Sequence, residues 1–228
     1  MANNYSIAED STALREEVIR TAQSMNRERI NVNKSGNVSV RASQDGRDGF
    51  LITPTGIPYA DLTADQIVFM VKGDEGWEGR GQTLPSSEWG LHAAVYEHRS
   101  DVQSVVHTHS LYATVLACLD EGIPPFHYMI ASANTDEIRC APYALFGTEE
   151  LAESCVATLG EADACLLSHH GVIACGKSLS KAFSLAVEVE NLAHMWVELK
   201  KLNPDCLLSA EQMQAVKQRF KTYGQQKQ

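Results

Sequence analysis

Val102-Gln103-Ser104-Val105-Val106-His107-Thr108-His109 is an apolar run that ends in two histidines one residue apart. The run reads as a β-strand. Strand side chains alternate between faces, so His107 and His109 point one way and Thr108 the other. Two imidazoles on one face, at the end of a rigid element, suit a divalent transition metal. A second apolar stretch, Ala164-Cys165-Leu166-Leu167, runs into Ser168-His169-His170-Gly171 and brings a third imidazole. Upstream, Pro85-Ser86-Ser87-Glu88-Trp89 supplies a carboxylate.

Outward from this strand, helices and strands are interspersed. Leu14, Val18, Ile19, Ala22 and Met25 recur at helical spacing, predicting a helix over about Thr12 to Asn26. Val38 to Ala42 and Phe50 to Thr53 read as strands, with Asp45-Gly46 and Asp48-Gly49 as turn formers between them. Ile67 to Val71 is a third strand. Gly73 to Gly81, rich in glycine and charge, reads as an exposed turn. Helices follow from Glu88 to His98, capped by Ser86 or Ser87, and from Ser110 to Leu119. Thr148 caps the next, and Ser178 begins a long one. Ser209 with Gln212 forms a capping box for a last helix ending near Tyr223-Gly224. The hairpin signals exclude a purely parallel sheet. The expected fold is α/β: a single domain over residues 1–228, with a central mixed or mostly antiparallel sheet flanked by helices on both sides.

The whole-chain totals narrow the function classes. The chain has 228 residues, 44% of them hydrophobic and 21% charged, which suits one globular core. No apolar run approaches a membrane span, and the first ten residues carry neither a basic nor an apolar signal segment. The formal net charge is −10, with no basic stripe, so no nucleic-acid or membrane partner is expected. Any anionic substrate must be held by a local site. Cys118, Cys140, Cys155, Cys165, Cys175 and Cys206 include no CxxC, and they read as reduced thiols of a cytoplasmic protein. The run Glu188, Glu190, Glu198, Lys200 and Lys201 reads as a solvated helix face.

Three stretches carry phosphate-like chemistry. Ser35-Gly36-Asn37-Val38-Ser39 puts a glycine and an amide before a strand, and Thr53-Pro54-Thr55-Gly56 ends one with a hydroxyl and a glycine. Ser86-Ser87 sits at a helix start, where free N–H groups and the dipole favour an anion. Each alone is ordinary turn or cap chemistry. A joint cradle requires the fold to bring them together. Glu88, in the same helix start, is either a carboxylate favoured by the dipole or one that sits beside a metal and moves protons.

These stretches, with Ile52-Thr53-Pro54-Thr55-Gly56-Ile57-Pro58-Tyr59, Val106-His107-Thr108-His109 and His169-His170-Gly171, resemble the class II aldolase/adducin family in order along nearly the whole chain. His127-Tyr128-Met129-Ile130-Ala131, Cys140-Ala141-Pro142-Tyr143, Phe146-Gly147-Thr148 and Phe220-Lys221-Thr222-Tyr223-Gly224 extend the resemblance. It implies a zinc-dependent aldolase that cleaves a ketose 1-phosphate, L-fuculose 1-phosphate or a similar 5-deoxypentulose or deoxyhexulose 1-phosphate, to dihydroxyacetone phosphate and an aldehyde. It implies a homotetramer with active sites between subunits. Zinc would be held by His107, His109 and His170, with Glu88 as displaceable fourth ligand and proton carrier; Mn2+ or Co2+ suits the same ligands. The substrate phosphate would lie on Gly36, Asn37, Thr55, Gly56, Ser86 and Ser87. Tyr128, from the neighbouring subunit, would transfer a proton at the aldehyde oxygen, and Tyr223 would close over the site.

His169, read on a strand, faces opposite His170 and is expected to be structural. Cys165 and Cys175, which flank His170, are read as buried thiols rather than ligands. His92, His98, His127 and His194 show no partner pattern. The resemblance departs at Ser132 to Arg139, where two acids and an arginine replace a smaller glycine-containing stretch, leaving open an aldehyde such as acetaldehyde or a methylthio analogue. A pentulose-5-phosphate 4-epimerase usually has an aspartate where Glu88 stands, and a non-catalytic scaffold needs no metal set.

Overall fold

The computed structural model describes residues 7–202 and 205–220. Among them, nine strands form one mostly antiparallel sheet. In chain order they are β1 (Ala8–Glu9), β2 (Asn37–Gln44), β3 (Arg47–Ile52), β4 (Val68–Gly73), β5 (Gly76–Arg80), β6 (Ser104–Thr108), β7 (Cys140–Ala141), β8 (Ala164–Leu167) and β9 (Gly171–Gly176). The spatial order is β5-β4-β3-β2-β6-β9-β8-β7. Two short pairs, β1 with β2 and β7 with β8, are parallel. The helices are α1 (Thr12–Arg27), α2 (Trp89–His98), α3 (Leu111–Ala117), α4 (Glu149–Leu159), α5 (Leu179–Lys201) and α6 (Ala210–Phe220).

Strand alternation divides the core. Leu51, Phe69, Val71, Val106, Leu166 and Val172 face α1, α3 and α5. Their sequence neighbours Phe50, Ile52, Val68, Met70, Val105 and Ile173 face α2 and α4. Both faces of the central strands are therefore apolar, and each fully buried Leu, Ile, Val or Phe contributes about 1.5–3 kcal/mol. The expected sheet with helices on both sides is observed.

Four local expectations are corrected. Only Asp45-Gly46 forms the β2–β3 turn; Gly49 lies inside β3, where a Cβ would come within 2.0 Å of the Met70 carbonyl oxygen. Gly73 to Gly81 is not just a turn, because Gly76–Arg80 pairs with β4 as the edge strand β5. Helix α2 has Glu88 itself at its N-cap, with no side-chain cap bond. The Glu88 carboxylate lies beside His107 and His170 instead, and the Ser86 hydroxyl accepts from the Glu88 N–H at 3.3 Å. Ser110 begins α3 as expected, at its N-cap and without a side-chain bond. Glu190 of α5 takes that role, accepting from the Tyr112 and Ala113 N–H groups at 2.9 and 3.0 Å. Glu190 is thus no part of a solvated face, and Lys200 pairs with Glu121. Thr148, Ser178 and the Ser209–Gln212 box cap as expected. The expected helix end near Tyr223-Gly224 lies outside the described residues.

Candidate metal centre and substrate pocket

The central strands β2, β6 and β9 converge on the histidines. His107 is on β6, paired with Asn37 of β2 and Ile173 of β9. His109 follows two residues on, and its Nε2 lies 2.9 Å from that of His107. His169 and His170 occupy the turn between β8 and β9, not a strand, and His169 has a left-handed φ of 53°. Strand alternation therefore does not separate them; the turn does. His170 Nε2 reaches Glu88 Oε1 at 3.0 Å, while the His169 ring lies edge-on to Tyr143.

The Nδ1 atom of His107 lies 2.9 Å from the Val172 carbonyl oxygen. A carbonyl only accepts, so Nδ1 carries the proton and Nε2 presents a lone pair. That lone pair faces His109 Nε2 and, at 3.3 Å, Glu88 Oε2. The three rings stand at equal centroid separations of 4.8 Å, tilted 71–76°. One ligand atom from each of Glu88, His107, His109 and His170 lies within 4.8 Å of the others. Glu88 Oε1 is buried without a hydrogen bond. A lone pair on His107 Nε2, the neighbouring Nε2 atoms of His109 and His170 and a buried carboxylate oxygen suit a cation between them. Three imidazoles and one carboxylate fit a divalent metal.

The four side chains are electrostatically coupled. Burial disfavours the Glu88 charge, but the imidazoles of His107 and His170 beside it more than offset this, holding the carboxyl well below the usual range. Burial opposes protonation of His107, and Glu88 outweighs it, raising that imidazole. His109 is pushed down to about 3, by burial first and then by His107 and His170.

The fold also assembles the three phosphate-like stretches. Val38 N–H donates to the Thr53 hydroxyl at 3.2 Å, and Thr53 N–H to the Val38 carbonyl at 3.1 Å. An isolated bridge, Pro54 with Pro85, then sets Thr55-Gly56 beside Ser86-Ser87. Gly36 admits the close approach of β2 to β6, since a Cβ there would lie 2.4 Å from the His107 carbonyl oxygen. A cavity of about 490 Å³ is lined by Ser35, Thr55, Gly56 and Ser87 together with Glu88, His109 and His170. Asn37 lies behind this wall, its amide nitrogen donating to Glu88 Oε2 at 2.9 Å. Ser86 is buried beside it, its N–H on the Thr53 carbonyl.

Tyr128 does not line this cavity. It opens a 3₁₀ turn, Tyr128–Ala133, and is 46% exposed, with its ring near that of Phe220. Tyr223 lies outside the described residues. Sequence reasoning missed Lys34, Tyr143, Phe146 and His169 as lining residues. Tyr143 and Phe146 stand within motifs that pointed to them. Lys34 carried a signal only through its neighbours Ser35 and Gly36. Cys165 and Cys175 are buried free thiols, as expected. His92, for which no partner was foreseen, is buried and bonded to Asn37 and Ser39.

A family profile described as Class II Aldolase and Adducin N-terminal domain matches residues 16–197. The chain is 46% identical over 212 residues to an L-fuculose phosphate aldolase of Escherichia coli K12, covering 92% of this chain and 95% of the relative. It is 45% identical over 212 residues to a 5-methylthioribulose-1-phosphate/5-deoxyribulose-1-phosphate aldolase of Rhodospirillum rubrum, covering 93% of each. A solved L-fuculose 1-phosphate aldolase superposes with a TM-score of 0.87 at 34% identity, covering 93% of this chain and 98% of that one.

Proposed function

The chain belongs to the class II aldolase and adducin family and is a metal-dependent lyase, and from that premise we propose that it cleaves a ketose 1-phosphate reversibly to dihydroxyacetone phosphate and an aldehyde. The substrate is L-fuculose 1-phosphate or a similar 5-deoxypentulose or deoxyhexulose 1-phosphate. The carrying observation is that Glu88, His109 and His170 share one cavity wall with Thr55, Gly56 and Ser87. A phosphate held on hydroxyls and backbone N–H groups there fixes the reacting bond against the metal ligands.

Gly36, Asn37, Thr55, Gly56, Ser86 and Ser87 hold the phosphate. A divalent metal on His107, His109 and His170, with Glu88 as displaceable fourth ligand, supplies a Lewis acid for the charge that develops on substrate oxygens; we assign zinc, with Mn2+ or Co2+ suited to the same donors. Glu88 takes up a proton from solvent and delivers it to carbon, which completes dihydroxyacetone phosphate and restores the carboxylate. Tyr128 of an adjacent subunit takes the proton from the departing hydroxyl as its own phenolic proton passes to solvent; Tyr223, assigned to the same site, lies outside the described residues. The exposure of Tyr128 away from its own chain's cavity supports a homotetramer with sites between subunits. The chain acts as one domain over residues 1–228. Its six free cysteines suit a reducing compartment, and we place it in the cytoplasm.

The near-equal identity to the Rhodospirillum rubrum relative favours 5-deoxyribulose or 5-methylthioribulose 1-phosphate as the second reading. The test is a panel of L-fuculose, L-rhamnulose, D-ribulose, 5-deoxyribulose and 5-methylthioribulose 1-phosphates, assayed for dihydroxyacetone phosphate with and without chelator. Chelator-sensitive release supports the aldolase, and the preferred substrate names the aldehyde. No release from any of them, or epimerisation of L-ribulose 5-phosphate, overturns it.

A further inference from the structure

Behind Glu88 runs a buried chain of polar side chains, of which the reaction above uses only Asn37. Asn37 Nδ2 donates to Glu88 Oε2 at 2.9 Å, and Asn37 Oδ1 lies 2.5 Å from His92 Nε2. His92 Nδ1 lies 2.6 Å from the Ser39 hydroxyl, which lies 2.7 Å from that of Tyr96. All four side chains are buried. Asn37 and Ser39 share one face of β2; His92 and Tyr96 stand four residues apart on α2, the helix that Glu88 begins.

The direction of every bond follows from the anionic end. An ionised carboxylate only accepts, so Asn37 must turn its nitrogen to Glu88 and its oxygen to His92. His92 must then carry its proton on Nε2, leaving Nδ1 to accept from Ser39, whose oxygen accepts from Tyr96. Burial, with a smaller effect from His107, pushes the His92 imidazole down to about 3, which keeps it in this neutral form. The Glu88 carboxylate decides which end of the Asn37 amide faces it, and a single bond would leave that amide free to swing. The His92 Nε2–H, bonded to the amide oxygen, holds it in place.

We propose that His92 is a positioning residue for Glu88: by fixing the Asn37 amide it ties down Oε2 and leaves Oε1 as the oxygen that exchanges the proton. The proposal rests on the reading that Glu88 moves a proton to carbon. An apolar side chain of similar size would serve packing equally well. It could not hold the Asn37 oxygen.

The test compares His92→Leu with His92→Gln, whose amide nitrogen can replace the Nε2 donor, both metal-replete and checked for metal content. Two rates are read: solvent deuterium exchange into dihydroxyacetone phosphate, and cleavage kcat and KM. His92→Leu is expected to lower exchange and kcat together by at least about tenfold with KM within about twofold, and His92→Gln to recover most of the loss. Wild-type kcat in a metal-replete His92→Leu overturns the proposal, as does a folded His92→Gln that is no better than His92→Leu. Should His92→Leu not fold, 15N spectra of the histidine-labelled wild-type holoenzyme decide: a proton on Nε2 with a bare Nδ1 is expected, and the Nδ1–H tautomer or a doubly protonated ring overturns the chain's direction. Wild-type protein that neither exchanges nor cleaves overturns the assigned reaction and with it the role for Glu88. The 15N spectrum then shows separately whether the hydrogen-bond chain itself stands.

Discussion

Glu88 is the residue on which structure and chemistry meet: it begins a helix, faces two imidazoles and keeps one oxygen without a hydrogen bond. Glu88→Gln keeps the shape and removes the basic oxygen. With metal content unchanged, deuterium exchange into dihydroxyacetone phosphate is expected to fall by about 10²–10⁴-fold; full exchange would refute the proton-carrying role. Lys34 is the one ammonium among the residues lining the cavity, and it donates to the Gly56 carbonyl at 2.5 Å. In a chain of net charge −10, it is the local attraction available to an arriving phosphate. Lys34→Gln is expected to raise KM by about tenfold at low salt with kcat little changed, and to weaken the dependence of KM on ionic strength. An unchanged salt profile would remove Lys34 from phosphate capture. His92 makes a third prediction, for stability. Its folded value is about 3, below the ordinary 6.5, so between these the unfolded chain binds more protons than the folded one. Its contribution is therefore intact above pH 6.5 and lost progressively as pH falls toward 3. Urea unfolding of His92→Gln should show a shallower acid slope than wild type by up to about 1.4 kcal/mol per pH unit, and identical slopes would contradict it.

At the level of elements, what could be read in advance was whatever depends on local periodicity. The strand Ser104–Thr108, the capped helices α4 and α5 and the Ser209–Gln212 box each declare themselves within a few residues. The histidine set was legible for the same reason: His107 and His109 share a strand's face. What escaped depends on partners distant in sequence. Gly49 is a strand residue because of the Met70 carbonyl beside it, and β5 exists because β4 offers it an edge. The three phosphate-like stretches meet through the Thr53–Val38 bonds and the Pro54–Pro85 bridge, which no spacing announces. Glu190 is the sharpest case. Its sequence neighbourhood looks solvated, yet 77 and 78 residues away it holds the start of α3, directly after the strand that carries His107. Two charge-assisted bonds at a helix N-terminus make Glu190→Ala costly, about 2–3 kcal/mol in chemical denaturation. A change below about 0.5 kcal/mol, the range of ordinary surface substitutions, would show that solvent replaces the cap.

Taken whole, the molecule places its proposed reaction groups in two separate regions. The cavity with Glu88, His109 and His170 opens at one end of β6 and β9, rimmed by exposed Tyr143 and Phe146. Tyr128 lies on the 3₁₀ turn that packs against α6, where Met213 is buried and Lys217 pairs with Asp136 at 2.7 Å. Asp136 and Arg139, the charges that left the aldehyde open, line a hollow beside α6 rather than the cavity of their own chain. If Tyr128 serves a neighbouring copy, each site needs one residue from each of two subunits, and inactive variants can complement one another. Glu88→Gln lacks the carboxylate but has the tyrosine, and Tyr128→Phe has the reverse. Co-expressed, or mixed after dissociation, they should form assemblies in which some interfaces combine an intact Glu88 with an intact Tyr128. Cleavage should then rise well above the sum of the two variants. Light scattering on the same sample reports the assembly size, with four chains expected. Activity no greater than that sum, in assemblies shown to be mixed, would confine catalysis to single chains and leave Tyr128 a surface residue.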